Sequence, residues 1–224
     1  MNITLNYSPN FEIKKRKFKE IKFLVFHYTG MKREIDAIKK LTSNKSKVSS
    51  HYFIKNNGEI LSLVPDLYIA WHAGVSAWRK YKSINKYSIG IEISNPGHDN
   101  IYSKFSKKQI RSISKLGKFL IKKYDIKPID ILGHSDIAPD RKKDPGEKFP
   151  WKYLSKNKIG YWHGLNKNIL EKKRKISLKK NNKLKFIKNL IKIGYRINSI
   201  SKTTNYSKVV IKAFQRRFRP ELIN

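Results

Sequence analysis

No cysteine occurs among the 224 residues. That excludes disulfides, thiolate nucleophiles and cysteine-ligated zinc, so any metal must be held by histidine and carboxylate. Acidic residues are scarce: 16 Asp and Glu stand against 51 Lys and Arg, for a net charge of +35. Such a charge permits a polyanionic partner, whether nucleic acid, an acidic membrane surface or an anionic wall polymer. However, Lys greatly outnumbers Arg and the basic residues run along the whole chain, which favours compositional drift over the clustered basic face of a specific nucleic-acid binder. No stretch approaches 18 uninterrupted apolar residues, so no transmembrane helix is expected. Residues 1–22 carry no apolar run ahead of their basic residues, so no secretory signal is visible, and a cytoplasmic location is expected on that ground. There is no internal repeat.

What is present has the size of one domain of about 150 residues with a small second one. Residues 21–27 (IKFLVFH) read as a buried strand ending in His27, followed by a Tyr28-Thr29-Gly30 turn. Ile35, Ile38 and Leu41 recur at helical spacing over 33–42. Residues 51–64 read as a hairpin around Asn56-Asn57-Gly58, where Asn-Gly supplies the positive φ values of a tight turn. Residues 87–94 (YSIGIEIS) predict another strand, and 106–124 a long amphipathic helix with Ser106 as its N-cap. A last strand over 129–134 feeds Gly133–Gly146 (GHSDIAPDRKKDPG), which has too many turn formers for a helix and reads as an ordered loop. The fold class is therefore α/β, a mixed sheet flanked by helices. After about residue 170 the composition shifts. Residues 171–184 look like a linker or solvated turn. Leu184, Ile187, Leu190 and Ile191 then mark one helix, and Val209, Val210, Ile211, Phe214 and Phe218 another. The expected division is 1–170 and 171–224, the second part a small helical module.

His27 and His134 each sit at a strand's C-terminal end, where α/β sheets display functional groups. With Asp144 they make a His₂Asp set that leaves a fourth tetrahedral position of zinc open. A satisfied structural histidine is the competing reading for either one alone. Glu92 alternates with Ile in its strand and either faces solvent or points into a cleft, where apolar neighbours raise its pKa into the range of a general base. Lys142, two residues before Asp144, is either a cation beside the metal or one more solvated lysine. Residues 70–74 (AWHAG) suit a groove for sugar or peptide, or else a Trp71 in the core with His72 at the surface. His51 opens the hairpin as a candidate support for the site. His98 and His163 have no supporting context and read as surface residues.

Taken together, the His27 strand end, Ser50-His51-Tyr52, Trp71-His72-Ala73-Gly74, Ile89-Gly90-Ile91-Glu92 and Gly133–Gly146 resemble the zinc-dependent N-acetylmuramoyl-L-alanine amidases. That group includes bacteriophage lysozyme-type amidases and animal peptidoglycan recognition proteins. The resemblance covers roughly residues 20–155. It implies one Zn²⁺ on His27, His134 and Asp144, with Glu92 as catalytic acid/base and Lys142 stabilising the transition state. It implies cleavage of the amide between the lactyl group of N-acetylmuramic acid and the first L-alanine of the stem peptide, in peptidoglycan or muropeptides. Tyr28, Trp71, His72 and Arg141 then become candidate substrate contacts. All three ligands and both catalytic residues are present, whereas a binding-only relative is usually marked by a lost ligand. The ending Ala213-Phe214-Gln215-Arg216-Arg217-Phe218 resembles a helical peptidoglycan-binding module, from which the region departs in being so Lys-rich. Such a module argues for access to the wall and makes the periplasm or cell envelope the alternative location.

Overall fold

The structure, a computed structural model, describes residues 2–176, 180–196 and 206–223. Its strands are β1 (Ile3–Leu5), β2 (Phe11–Glu12), β3 (Phe23–Tyr28), β4 (Tyr52–Ile54), β5 (Ile60–Ser62), β6 (Ile69–Ala70), β7 (Ala77–Trp78), β8 (Tyr81–Lys82), β9 (Ser88–Ile93) and β10 (Ile131–Gly133). Its helices are α1 (Glu34–Thr42), α2 (Lys107–Tyr124), α3 (His134–Ile137), α4 (Trp151–Ser155), α5 (Lys167–Arg174), α6 (Lys180–Ile193) and α7 (Tyr206–Phe218). Six strands join in one sheet in the order β1-β5-β4-β9-β3-β10. Only the β4–β5 hairpin is antiparallel; every other pair of neighbours is parallel. The sheet is mixed and helix-flanked, as the interleaved strand and helix signals predict.

Alternation along β3 and β9 divides the molecule into two layers. Leu24 and Phe26, with Ile89, Ile91 and Ile93, face the side covered by α2, which buries Ile113, Leu116, Leu120 and Tyr124 against them. Each such side chain contributes about 1.5–3 kcal/mol by leaving water. The start of α2 is fixed by a capping box: Ser106 Oγ accepts from the Gln109 N–H at 3.1 Å, and Gln109 Oε1 from the Ser106 N–H at 2.9 Å. Phe23, Val25 and Leu132 face the other side, where Ile187, Leu190, Tyr195, Val210 and Ala213 pack on them. Farther across that same face, α1 presses Ala37 and Leu41 onto Phe53, Leu61 and Leu63. The gap between α1 and the C-terminal helices is where the polar residues collect.

Three expectations differ in detail. In the hairpin only Gly58 takes a positive φ, +87°, and the turn closes with Gly58 N–H donating to Lys55 O at 2.9 Å. A Cβ at Gly58 would also lie 2.9 Å from the Lys108 carbonyl oxygen, so the first turn of α2 demands glycine there. The Gly133–Gly146 segment is not all loop, because its first residues wind into the single turn α3. The segment read as a linker is helical at both ends. Asn166 caps α5, its side chain accepting from the Ile169 N–H at 2.9 Å, so α5 spans the expected 170/171 division, and α6 begins at Lys180. Residues 177–179 of that stretch lie outside the described residues.

Candidate metal centre

Strand register assembles the site. β3 and β9 are parallel neighbours with His27 opposite Glu92, so both side chains leave the same face near the strands' C-terminal ends. On the other side of β3, Gly133 of β10 aligns with Phe26, which brings His134 level with His27. The chain then turns back through Ala138–Lys142, and the Ser135 N–H donates to the Asp144 carbonyl at 2.8 Å, pinning the end of the segment to its start.

His27 Nδ1, His134 Nδ1 and Asp144 Oδ2 converge: the two ring nitrogens are 2.9 Å apart and each is 3.0 Å from the carboxylate oxygen. The hydrogen bonds on the far side of each ring decide what occupies these contacts. Ser88 Oγ donates to the Ile84 carbonyl at 2.7 Å, so toward His72 Nε2, at 3.1 Å, it is an acceptor. His72 therefore carries its proton on Nε2 and offers a bare Nδ1 to His27 Nε2, 2.9 Å away, which must donate. His134 Nε2 faces the Ala73 carbonyl at 3.1 Å and donates to it. In the neutral form of each ring, Nδ1 is then a lone pair aimed at the Asp144 carboxylate oxygen. Burial, and after it His134, lowers the His27 pKa to about 4, so His27 is neutral at physiological pH. Three electron-rich atoms in mutual contact call for a cation among them. Two imidazoles with oriented far nitrogens and one carboxylate are a donor set for zinc.

The carboxyl of Glu92 is beside this cluster. Its Oε2 is shut off from solvent and has no hydrogen-bond partner among the described residues, while the residue keeps part of its surface on the pocket. Burial, reinforced by the Asp144 charge and opposed by Lys142 and Lys40, raises its pKa well above the ordinary range. The structure thus places Glu92 in the cleft rather than in solvent. Of the nine residues given a ligand, catalytic or substrate-contact role, all but His27 line one pocket of about 460 Å³, and His27 is buried beneath it, 1% exposed.

The candidate substrate contacts have further partners. Trp71 is half-exposed and His72 is buried, the reverse of a core Trp with a surface His. His72 lines the pocket and orients His27. Arg141 donates to the carbonyls of Ala73 and Val75, clasping the loop that carries Trp71. Tyr28 OH donates to His98 Nδ1 at 2.7 Å, and His98 Nε2 to Glu147 at 2.9 Å. His98 is accordingly a half-buried link at the pocket edge, not a surface residue. His163 also differs from expectation: both of its ring nitrogens are shut off from solvent. His51 is fully buried, its Nδ1 accepting from the Gly90 N–H at 3.0 Å, and its ring packs on His72 with centroids 5.7 Å apart.

Sequence reasoning missed Ser88 and Asn85, whose Oδ1 accepts from the His72 and Ala73 N–H groups at 3.2 and 2.7 Å. The alternation Ser88, Gly90, Glu92 on one strand face was the available signal for Ser88. Asn85 gave none.

A profile of the N-acetylmuramoyl-L-alanine amidase family matches residues 17–147. Over 219 residues the chain is 36% identical to N-acetylmuramoyl-L-alanine amidase AmiD of Escherichia coli (strain K12), covering 92% of this chain and 78% of that one. The structure of E. coli AmiD in complex with the substrate anhydro-N-acetylmuramic acid-L-Ala-D-gamma-Glu-L-Lys superposes with a TM-score of 0.81 at 35% identity, covering 95% of this chain and 86% of the other. AmpDh3 from Pseudomonas aeruginosa, in complex with anhydromuramic pentapeptide, gives a TM-score of 0.78 at 30% identity over 95% and 89% of the two chains.

Proposed function

The chain belongs to the N-acetylmuramoyl-L-alanine amidase family, and on that premise we propose that its hydrolysis of the muramoyl–L-alanine amide depends on one zinc ion held by His27, His134 and Asp144. It is an amidase of muropeptides, acting in cell-wall turnover and recycling. The observation that carries the zinc reading is the convergence of His27 Nδ1, His134 Nδ1 and the Asp144 carboxylate beside Glu92, whose Oε2 is shut off from solvent with no partner among the described residues. Zinc, when bound, supplies a Lewis acid that acidifies water and polarises a carbonyl.

The chain's own groups do the rest. Glu92, its pKa raised by burial, accepts a proton from the attacking water and delivers it to the L-alanine nitrogen as the C–N bond breaks. The Lys142 ammonium, on the pocket wall, stabilises the oxygen that gathers negative charge. Water is the nucleophile, so no covalent enzyme intermediate is required. Trp71 and Tyr28 offer ring faces to the sugar and peptide, and Lys40, Arg141 and Lys143 give the wall a positive character suited to the carboxylates of a stem peptide. Residues 171–224 are proposed as a wall-binding module; in support, α6 and α7 border a groove of about 700 Å³ lined in part by Phe186, Phe214 and Phe218.

Two variants separate the roles. Glu92→Gln keeps stoichiometric zinc and loses turnover by about 10²–10⁴-fold. Asp144→Ala loses the zinc. Full turnover by the first, or full zinc retention by the second, overturns the corresponding assignment.

A further inference from the structure

Asp136 lies in α3, two residues past His134, and is 1% exposed. Three donors converge on its carboxylate. The Gly133 N–H reaches Oδ2 at 2.9 Å, which ties the side chain to the residue that enters the His134 turn. The other two donors come from the far end of the chain. Tyr195 OH, just after α6, donates to Oδ1 at 2.7 Å across 59 residues of sequence. Arg217 Nη1, in α7, donates to Oδ2 at 2.9 Å across 81 residues.

Arg217 is itself immobilised. Nη1 also donates to the Ile131 carbonyl of β10 at 3.1 Å, Nη2 to the Tyr161 carbonyl at 3.3 Å, and the guanidinium lies 4.0 Å over the Trp151 ring. α3 carries His134 at its first position, and its Ser135 N–H holds the Asp144 carbonyl. A displacement of α3 therefore moves both ligands that do not come from β3.

Docking the C-terminal helices does not require this polar bridge. Phe23, Val25, Leu132, Ile187, Leu190 and Val210 already form an apolar contact there. An ion pair with exposures of 6% and 2% is a poor device for mere attachment, because desolvation offsets most of its attraction. What it supplies is direction, fixing one carboxylate from three sides.

We infer that Tyr195 and Arg217 are positioning residues of the metal centre: through Asp136 the C-terminal helices hold α3 so that His134 and Asp144 meet His27 at one point. The inference rests on the zinc reading above. On it, the catalytic sheet and the C-terminal segment form one functional unit, and zinc affinity depends on residues that never approach the ion.

The test uses the full chain. Zinc dissociation constants are measured by competition with a chromophoric chelator for the wild type, Tyr195→Phe and Arg217→Gln. Ile187→Val, in the same interface, serves as the packing control. Tyr195→Phe is expected to weaken zinc about three- to tenfold, less than the roughly 10–100-fold that direct outer-sphere partners of metal ligands provide, because it acts one step further out through Asp136. Its kcat for muropeptide falls while KM stays constant. Ile187→Val lowers the melting temperature and leaves zinc affinity alone. In an Asp136→Asn background the Tyr195→Phe effect on zinc vanishes. If Arg217→Gln does not fold, Tyr195→Phe decides alone. A Tyr195→Phe protein that melts lower but binds zinc as tightly as wild type overturns the inference. A wild type that binds no zinc overturns the metal reading itself, and this inference with it.

Discussion

Gly90 offers a direct test of how the site is built. Its φ is not in the left-handed region, so backbone freedom is not what requires glycine. Space is. A Cβ at position 90 would lie 2.4 Å from His72 Cγ, 2.6 Å from Cδ2 and 2.7 Å from Nδ1. The ring cannot swing aside cheaply, because His72 is 8% exposed and is held by Ser88 on one nitrogen and His27 on the other. Overpacking of this kind costs about 1–3 kcal/mol, or roughly 2–12 °C in melting temperature for a chain of this length. The ring that must move is the acceptor for His27 Nε2, so Gly90→Ala also loosens the tautomer that aims His27 Nδ1 at the proposed zinc. Zinc affinity should fall about 10–100-fold. The assay is a four-protein cycle of wild type, Gly90→Ala, His72→Ala and the double variant, measured by thermal melting and zinc competition. With the ring gone the clash is gone, so Gly90→Ala should add little destabilisation in the His72→Ala background, a coupling of about 1–3 kcal/mol. Equal penalties with and without the ring would refute the reasoning, as would a Gly90→Ala protein with unchanged melting and unchanged zinc affinity.

Two further outcomes follow from the electrostatics. Ser88→Ala removes the acceptor that fixes the proton on His72 Nε2, and zinc competition should report affinity about tenfold weaker; unchanged affinity contradicts the tautomer assignment. Lys142 lowers the raised pKa of Glu92, so Lys142→Ala should slow turnover and move the acid limb of kcat/KM to higher pH, since loss of a nearby cation makes the carboxyl harder to ionise. A pH–rate profile whose acid limb stays in place or moves down refutes the proximity of the two groups.

Most of the centre is legible in the sequence because its parts sit at strand ends. His27, Glu92 and His134 each occupy a place that hydrophobic alternation can locate, and parallel pairing then sets them side by side. The helix α2 and its Ser106 cap follow from local periodicity in the same way. The pattern in AWHAG, by contrast, belongs to no regular element, and nothing in it says which of Trp71 and His72 turns inward. That is settled by Gly90, which leaves room for an imidazole. His98 reads as incidental because its partners, Tyr28 and Glu147, lie 70 and 49 residues away. Helix α5 hides in its composition: with Lys or Arg at half of its positions, only Ile169 and Leu170 carry apolar signal. Asp136 resembles any other polar residue of a Pro-rich loop until Tyr195 and Arg217 arrive from the C-terminal end.

The central claim is that this chain cuts the muramoyl–L-alanine amide with a metal held by His27, His134 and Asp144. It is tested most directly by mass spectrometry of purified muropeptides, with anhydro and reducing ends, incubated with the zinc-loaded protein before and after chelation. The account predicts free stem peptide and intact muramyl sugar, loss of both products on chelation, and their return with added zinc. Unchanged muropeptides at full zinc occupancy, or cleavage indifferent to the chelator, would contradict it.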